Sequence, residues 1–276
     1  MCDIAIKTLN LLPKCAMIIT VIRMFNTVEI KKGLKNDFKI IQLSETESTN
    51  DALANLARCN EQSKTMLIAS KQTKGKGRGE HSFYSPEGGL YMSLLYRKCD
   101  YKAIETVTAL AACAVCRAIR KVTGKKARIK WINDVFVNSK KVCGILTRSE
   151  FSADDKDSQW VIVGIGINLT KPEQGFPEEI ADIAGYLFDS TSCKAEELIC
   201  EITDTLTDYL SGKKNDALEY YRKHSLTLSE KVVVKSQNGD YAAFAKSIED
   251  DFSLRCIKED GSEVVLHSGE VSVKIC

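Results

Sequence analysis

"KWINDVFVNSKKVCGIL", residues 130–146, decides how this chain is read. A strand from about residue 127 carries Lys130 and Trp131 and ends in an Asn133-Asp134 turn. "KKVCGILTRSE" (140–150) then returns beside it as a hairpin partner. Asn-Asp is ordinary turn chemistry. Lys141 is less ordinary. Its strand is otherwise made of Val142, Ile145 and Leu146, so its ammonium points either into apolar surroundings or out to solvent. If buried, it needs an anionic partner.

Outward from this hairpin the chain alternates helices and strands. Downstream, "WVIVGIGINLT" (160–170) is a strand whose apolar run predicts burial on both faces. Gly164 and Gly166 strip side chains from one of those faces, which weakens packing unless something else lies close. A flat ligand ring and a crossing helix both satisfy that. Asn168 at the strand's end is able to hydrogen-bond a base. Upstream, residues 106–122 repeat apolar positions at i, i+3 and i+4 without a break, the signature of a helix. Strands are expected at 37–45, 65–70 and 90–96, with a helix over 48–59. Ser48 followed by Asp51 gives that helix a capping-box start. Further helices are expected at 195–210 and 215–224.

"SKQTKGKGRGEHSF" (70–83) carries four positive charges and no negative one between Lys71 and Arg78. It matches neither a Walker A motif nor a dinucleotide fingerprint. Its glycines allow a nest of backbone N–H groups for an anion, with Lys76 and Arg78 adding charge. A solvated turn has the same composition. After about residue 225 the texture changes to short β runs with Asn238-Gly239 and Asp260-Gly261 turn signals, predicting five strands and a small barrel.

Composition sets limits on function. The 276 residues are 44% hydrophobic and 28% charged, the globular norm. A net charge of +2 makes the molecule as a whole no electrostatic partner for nucleic acid or a membrane. Eleven cysteines, an odd number at irregular spacing, fit free thiols in a reducing cytoplasm. Cys113 and Cys116 read as small residues packed in a helix, since nothing nearby completes a zinc site. The apolar stretch "TLNLLPKCAMIITVIRMF" (8–25) is too short and too broken by Pro13, Lys14 and Arg23 to span a bilayer. It reads as an extra strand or an incidental extension, with Met24 an alternative start.

Four motifs then stand in order: "ESTN" (47–50), "SKQTKGKGR…FYSPEGGLYMSL" (70–94), "KWIND…KKVCGIL" and "VIVGIGINL" (161–169). With the tail "HSGEVSVKI" (267–275), this set resembles biotin protein ligases over roughly residues 38–276. The resemblance implies an α+β fold: a mixed-sheet catalytic domain flanked by helices (38–225), an N-terminal extension (1–37) and a C-terminal SH3-like barrel (226–276). It implies ATP, Mg²⁺ and biotin, with biotinyl-5′-AMP made first and biotin then passed to a lysine of a biotin carboxyl carrier domain of a carboxylase. It places biotin against Ser48, Thr49, Asn50, Gln72, Gly144, Gly164 and Gly166. Gly75, Lys76, Gly77 and Arg78 match the loop that closes over biotin and the adenylate phosphate. Lys141 matches the lysine at the biotin carboxylate and α-phosphate, and Lys130 a second basic residue near the phosphates. Asn133, Asn168 and the aromatic Phe83 fall on the ATP side, and Asp134 is the candidate Mg²⁺ ligand.

The sequence departs from the family pattern at Lys76, where arginine is common, at Gly79, Glu80, His81 and Phe83, and at Ile132, where proline is common. Residues 1–37 cannot hold a winged helix-turn-helix, so a ligase without operator binding is expected, as monomer or homodimer, with no nucleic-acid or membrane partner. Lipoate–protein ligase shares the fold and stays open as an alternative. A nucleic-acid-binding module using Tyr241, Phe244 and Phe252 of the barrel is the non-enzyme alternative, against which the barrel's acidic residues count.

Overall fold

A computed structural model describes residues 25–79, 81–97, 104–150, 159–190, 194–236, 239–267 and 271–275. In chain order, α1 (Thr27–Gly33) leads to β1 (Lys39–Thr46), α2 (Thr49–Arg58), β2 (Thr65–Gln72), β3 (Gly89–Arg97) and α3 (Ile104–Thr123). Then come β4 (Arg128–Lys130), β5 (Asp134–Val137), β6 (Lys140–Glu150), β7 (Trp160–Asn168), α4 (Glu178–Ala181), α5 (Ala195–Leu210) and α6 (Lys214–His224). Five strands close the chain: β8 (Lys231–Ser236), β9 (Tyr241–Ile248), β10 (Leu254–Lys258), β11 (Glu263–Leu266) and β12 (Val271–Ile275).

The first seven strands form one sheet in the order β1-β2-β3-β7-β6-β5-β4. Only β1 and β2 are parallel, joined by α2. Strand β7 shows how the sequence divides the two faces. Val161, Val163, Ile165 and Ile167 alternate onto one face and join the large core with α3 and α5. Trp160 and Ile162 face the other way and pack with Leu53, Ala54 and Ala57 of α2. Gly164 and Gly166 continue that second stripe. Helix α3 can bury almost its whole circumference because small Ala and Cys residues let it approach both the sheet and α5. Cys113 and Cys116 are buried there as free thiols, as their sequence context predicts.

Three sequence expectations change. First, the strand expected over 127–134 stops at Lys130. Residues 131–133 are a turn, and Asp134 opens β5, a strand the sequence reading missed. The hairpin partner of "KKVCGIL" is thus β5, which in turn pairs with β4. Second, the part of the N-terminal stretch that is described is helical. Asn26 caps α1 by accepting from the Val28 and Glu29 amides, and Ile30 is fully buried. Residues 1–24, including Met24, lie outside the described residues. Third, an aromatic of the C-terminal segment is placed differently, while the five expected strands are present and pair as one antiparallel sheet, β11-β10-β9-β8-β12. Phe252, offered above as a base-stacking aromatic, is wholly buried against Tyr221.

Candidate active site

One lateral row of the large sheet carries most of the site. Across the strands, Lys130 pairs with Asp134, Asp134 with Gly144, Gly144 with Gly166, and Gly166 with Tyr91. Laterally paired residues point to the same face, here the α2 face. The row therefore runs from a cation and a carboxylate to a floor of two glycines. A cleft of about 1280 Å³ lies above it.

Lys141 reaches this cleft because β6 is irregular. The register of β5 and β6 shifts by one between Val135 and Phe136, so that Val135 faces Cys143 while Phe136 faces Lys141. Val142 is the extra residue of this bulge. In an unbroken strand, positions three apart point to opposite faces. The bulge lets Lys141 and Gly144 share one, and the Lys141 Cε lies 3.4 Å from where a Gly144 Cβ would be. Lys141 is half-buried, and its anionic partner is Asp134, whose Oδ1 is 2.7 Å from Nζ. That oxygen is buried and makes no aligned hydrogen bond, so charge alone holds the pair.

The turn behind these groups is fixed by the C-terminal segment. Trp131 is 3% exposed. Its Nε1 donates to the Phe252 carbonyl at 2.9 Å, and its backbone N–H donates to Thr227 Oγ1 at 3.0 Å. The Trp131–Ile132 peptide bond is cis. Asn133 Nδ2 donates to the Ile145 carbonyl at 3.0 Å, locking the turn onto β6.

The N-terminus of α2 supplies a polar pocket. Ser48 caps the helix by accepting from the Asp51 amide, as the sequence predicts. Gln72 Oε1 accepts from the Thr49 amide at 2.8 Å and from Thr49 Oγ1 at 3.1 Å. Asn50 Nδ2 donates to the Leu146 carbonyl, and Ser93 Oγ sits 2.7 Å from Asn50 Oδ1. This explains Gly164. A Cβ there would collide with the Asn50 carboxamide, so the missing side chain makes room for a protein group rather than for a ligand ring.

The basic loop is a small hairpin and not an anion nest. Gly77 N–H donates to the His81 carbonyl at 2.7 Å, and Phe83 N–H to the Gly75 carbonyl at 2.9 Å. Lys76 bridges Ser82 across it. Gly75 is required by close approach, since a Cβ would strike Phe83 O and Ser85 Oγ. Glu80 lies outside the described residues. Arg78 extends over the cleft toward Asn133 Oδ1 at 3.4 Å. Burial lowers the Arg78 pKa, while Asp134 and Glu105 nearby favour its charge. Phe83 lies on the glycine floor: a Cβ on Gly166 would stand 2.6 Å from its ring, and one on Gly144 3.0 Å.

Of the sequence-predicted residues, all but Gly75 and Asn168 line the cleft. Asn168 instead donates its amide to the Gly185 carbonyl at 2.9 Å and is 8% exposed. Sequence reasoning missed Ser93, Glu105, Lys235 and Ser236. Ser93 had one signal, a lone serine inside the largely apolar run "LYMSLL". Lys235 and Ser236 belong to the C-terminal sheet and reach the cleft only through the fold. Among the described residues no three His, Cys, Asp or Glu side chains cluster as a metal site. Asp134, one carboxylate among Lys130 and Lys141, suits Mg²⁺ carried mainly by substrate phosphates.

The model of the biotin/lipoate A/B protein ligase family matches residues 43–168. The bifunctional ligase/repressor BirA of Bacillus subtilis is 32% identical over 245 residues, covering 84% of this chain and 74% of its own. The chain belongs to this ligase family. A biotin--[acetyl-CoA-carboxylase] ligase of Mycobacterium tuberculosis is 27% identical, covering 83% of this ligase and 86% of its own length. Among solved structures, the Aquifex aeolicus biotin protein ligase in complex with biotin and ATP superposes with a TM-score of 0.72 at 27% identity, covering 86% of this chain and 99% of its own. The ligase thus has the mixed-sheet fold of biotin protein ligases.

Proposed function

We infer that this chain is an ATP-dependent biotin ligase. The observation that carries the reading is the convergence of Arg78, Lys130 and Lys141 with Asp134 at one end of a glycine floor, beside the polar pocket of α2. Joining a carboxylate to a triphosphate brings anions together, and fixed cations stabilise the charge that develops at phosphorus. In the first step a biotin carboxylate oxygen attacks the α-phosphorus. The bond to the β,γ-pyrophosphate breaks, and pyrophosphate leaves with the electron pair. In the second step a neutral lysine amine of the acceptor attacks the acyl carbon. The carbon–oxygen bond to AMP breaks, AMP leaves as the anion, and the amine loses a proton to give the amide.

Lys141 holds the biotin carboxylate against the α-phosphate in this reading, and Lys130 and Arg78 meet the phosphates. Ser48, Thr49, Asn50 and Gln72 form the biotin end. Asp134 is the group that would hold Mg²⁺, which supplies further charge neutralisation to ATP when bound. The acceptor is a biotin carboxyl carrier domain of a carboxylase, as the name of the mycobacterial relative suggests. Residues 38–225 act as the catalytic domain and 226–276 as an SH3-like barrel. We place the enzyme in the cytoplasm, as monomer or homodimer. Among the described residues no helix is long and apolar enough to cross a membrane.

Mass spectrometry of the purified chain with Mg-ATP and either biotin or lipoate tests the reading. Biotinyl-AMP is expected, followed by a mass shift on an added carrier domain. Lipoyl-AMP without biotinyl-AMP would overturn the choice of acid.

A further inference from the structure

Asp51 has no part in the chemistry described above, yet three elements meet on its carboxylate. It stands in the first turn of α2, directly after the Ser48–Asn50 pocket. Its Oδ2 is 2.7 Å from Nζ of Lys76 in the basic hairpin. Its Oδ1 pairs with Arg148 Nη1 on β6. Lys76 lines the cleft, but its ammonium is committed to Asp51. Its ammonium ties the first arm of the hairpin to α2, while Arg78, two residues on, projects over the cleft to Asn133.

We propose that Asp51 is a positioning residue, the anchor that holds the hairpin closed over the site through Lys76, with Arg148 keeping the carboxylate in place. The inference rests on the ligase reading, since it assigns the hairpin an acyl-adenylate to retain. The strength of the anchor suits a cover that must open in every turnover. Lys76 is 52% exposed along its side chain, Asp51 33% and Arg148 35%. Pairs of this exposure shift an equilibrium by no more than about fivefold. Such a contact does not hold the fold together, but it is enough to bias a hairpin between two positions. It also gives Lys76 a use that fits its chemistry. An ammonium meets a carboxylate from many directions, whereas a guanidinium fork demands one plane.

Full-length wild type, Asp51→Asn, Asp51→Glu and Arg148→Gln are compared in two assays. The first follows trypsin cleavage at Lys74, Lys76 and Arg78 by mass spectrometry. The second forms biotinyl-AMP on the enzyme and follows its release into solution after rapid dilution. Asp51→Asn is expected to raise both rates about three- to fivefold with thermal stability within a degree or two of wild type. Asp51→Glu restores both toward wild type, and Arg148→Gln falls between. Wild-type cleavage and release rates in Asp51→Asn would overturn the anchor. So would a large loss of thermal stability in Asp51→Asn that Asp51→Glu shares, since the residue would then be structural. The cleavage assay needs no catalysis. Absence of biotinyl-AMP in wild type would therefore count against the ligase reading alone and leave the anchor to be decided by cleavage.

Discussion

Two turns face each other across the cleft, and they are held in opposite ways. The turn at Trp131–Asn133 buries Trp131 and Ile132 and is bonded to β6 through Asn133 and to the C-terminal segment through Trp131. The basic hairpin opposite is tied by a half-exposed ion pair, an Arg78 contact at 3.4 Å and one ring on a glycine floor. One wall is part of the core, and the other rests on it. This division matches what two-step acyl transfer needs: sheet cations, Lys130 and Lys141, that stay in place while charge develops at phosphorus, and a cover, carrying Arg78, that opens so that a carrier protein can approach.

The largest expected effect breaks the fixed wall. Trp131→Ala should cost about 3–5 kcal/mol of stability through the lost packing of a large buried side chain. Chemical denaturation reads it, and a loss under about 1 kcal/mol would mean the turn does not depend on the C-terminal sheet. Next comes the wall's charge. Lys141→Ala should lower biotin-dependent ATP–pyrophosphate exchange by about 10²–10³ while the far-ultraviolet circular dichroism stays the same. Undiminished exchange would remove Lys141 from the first step. The movable side should respond less. Phe83→Ala should speed release of biotinyl-AMP about three- to tenfold, the scale of one aromatic contact. Slower release would recast Phe83 as a competitor for the floor.

The smallest effect concerns the end of α6. His224 stacks on Tyr220 at 4.0 Å, and burial pulls its pKa below the ordinary histidine value, with Arg120, Lys223 and Arg117 adding to the effect. The unfolded chain therefore takes up this proton first as the pH drops. Stability from a neutral His224 is fully present above the ordinary value and is lost as pH falls through the lower, folded one. The melting temperature should fall by about 1–2 °C more between pH 7 and 5 in wild type than in His224→Gln. Equal slopes would exclude His224 as a contributor.

Much of this was legible in the sequence, for local reasons. The Ser48 cap, the period of α3 and the two-faced burial of β7 are set by neighbours in the chain, so pattern alone finds them. The order of the four motifs was enough to bring Lys130, Asp134, Lys141 and the glycines to one site. What pattern could not show depends on contacts distant in sequence. Gly164 left a ligand ring and a crossing helix equally open, and only the fold shows Asn50 of α2 above it. Asn168 looked like a base contact, and its amide is taken by Gly185. The loop glycines suggested a nest because nothing in composition distinguishes one from a hairpin. Lys235 carried no signal at all, since its approach to the cleft depends on how the C-terminal sheet is seated.

The extra residue in β6 has a consequence for anyone redesigning this protein or transplanting its site. Lys141 and Gly144 are out of phase with each other, and Val142 is the frameshift that brings them back into step. Their spacing of three residues and the bulge at Val142 therefore belong together. Copying Lys141 and Gly144 into a regular strand would send one of them to the wrong face. Deleting Val142 here would instead remove the bulge and leave the two residues two apart, still on one face of a regular strand.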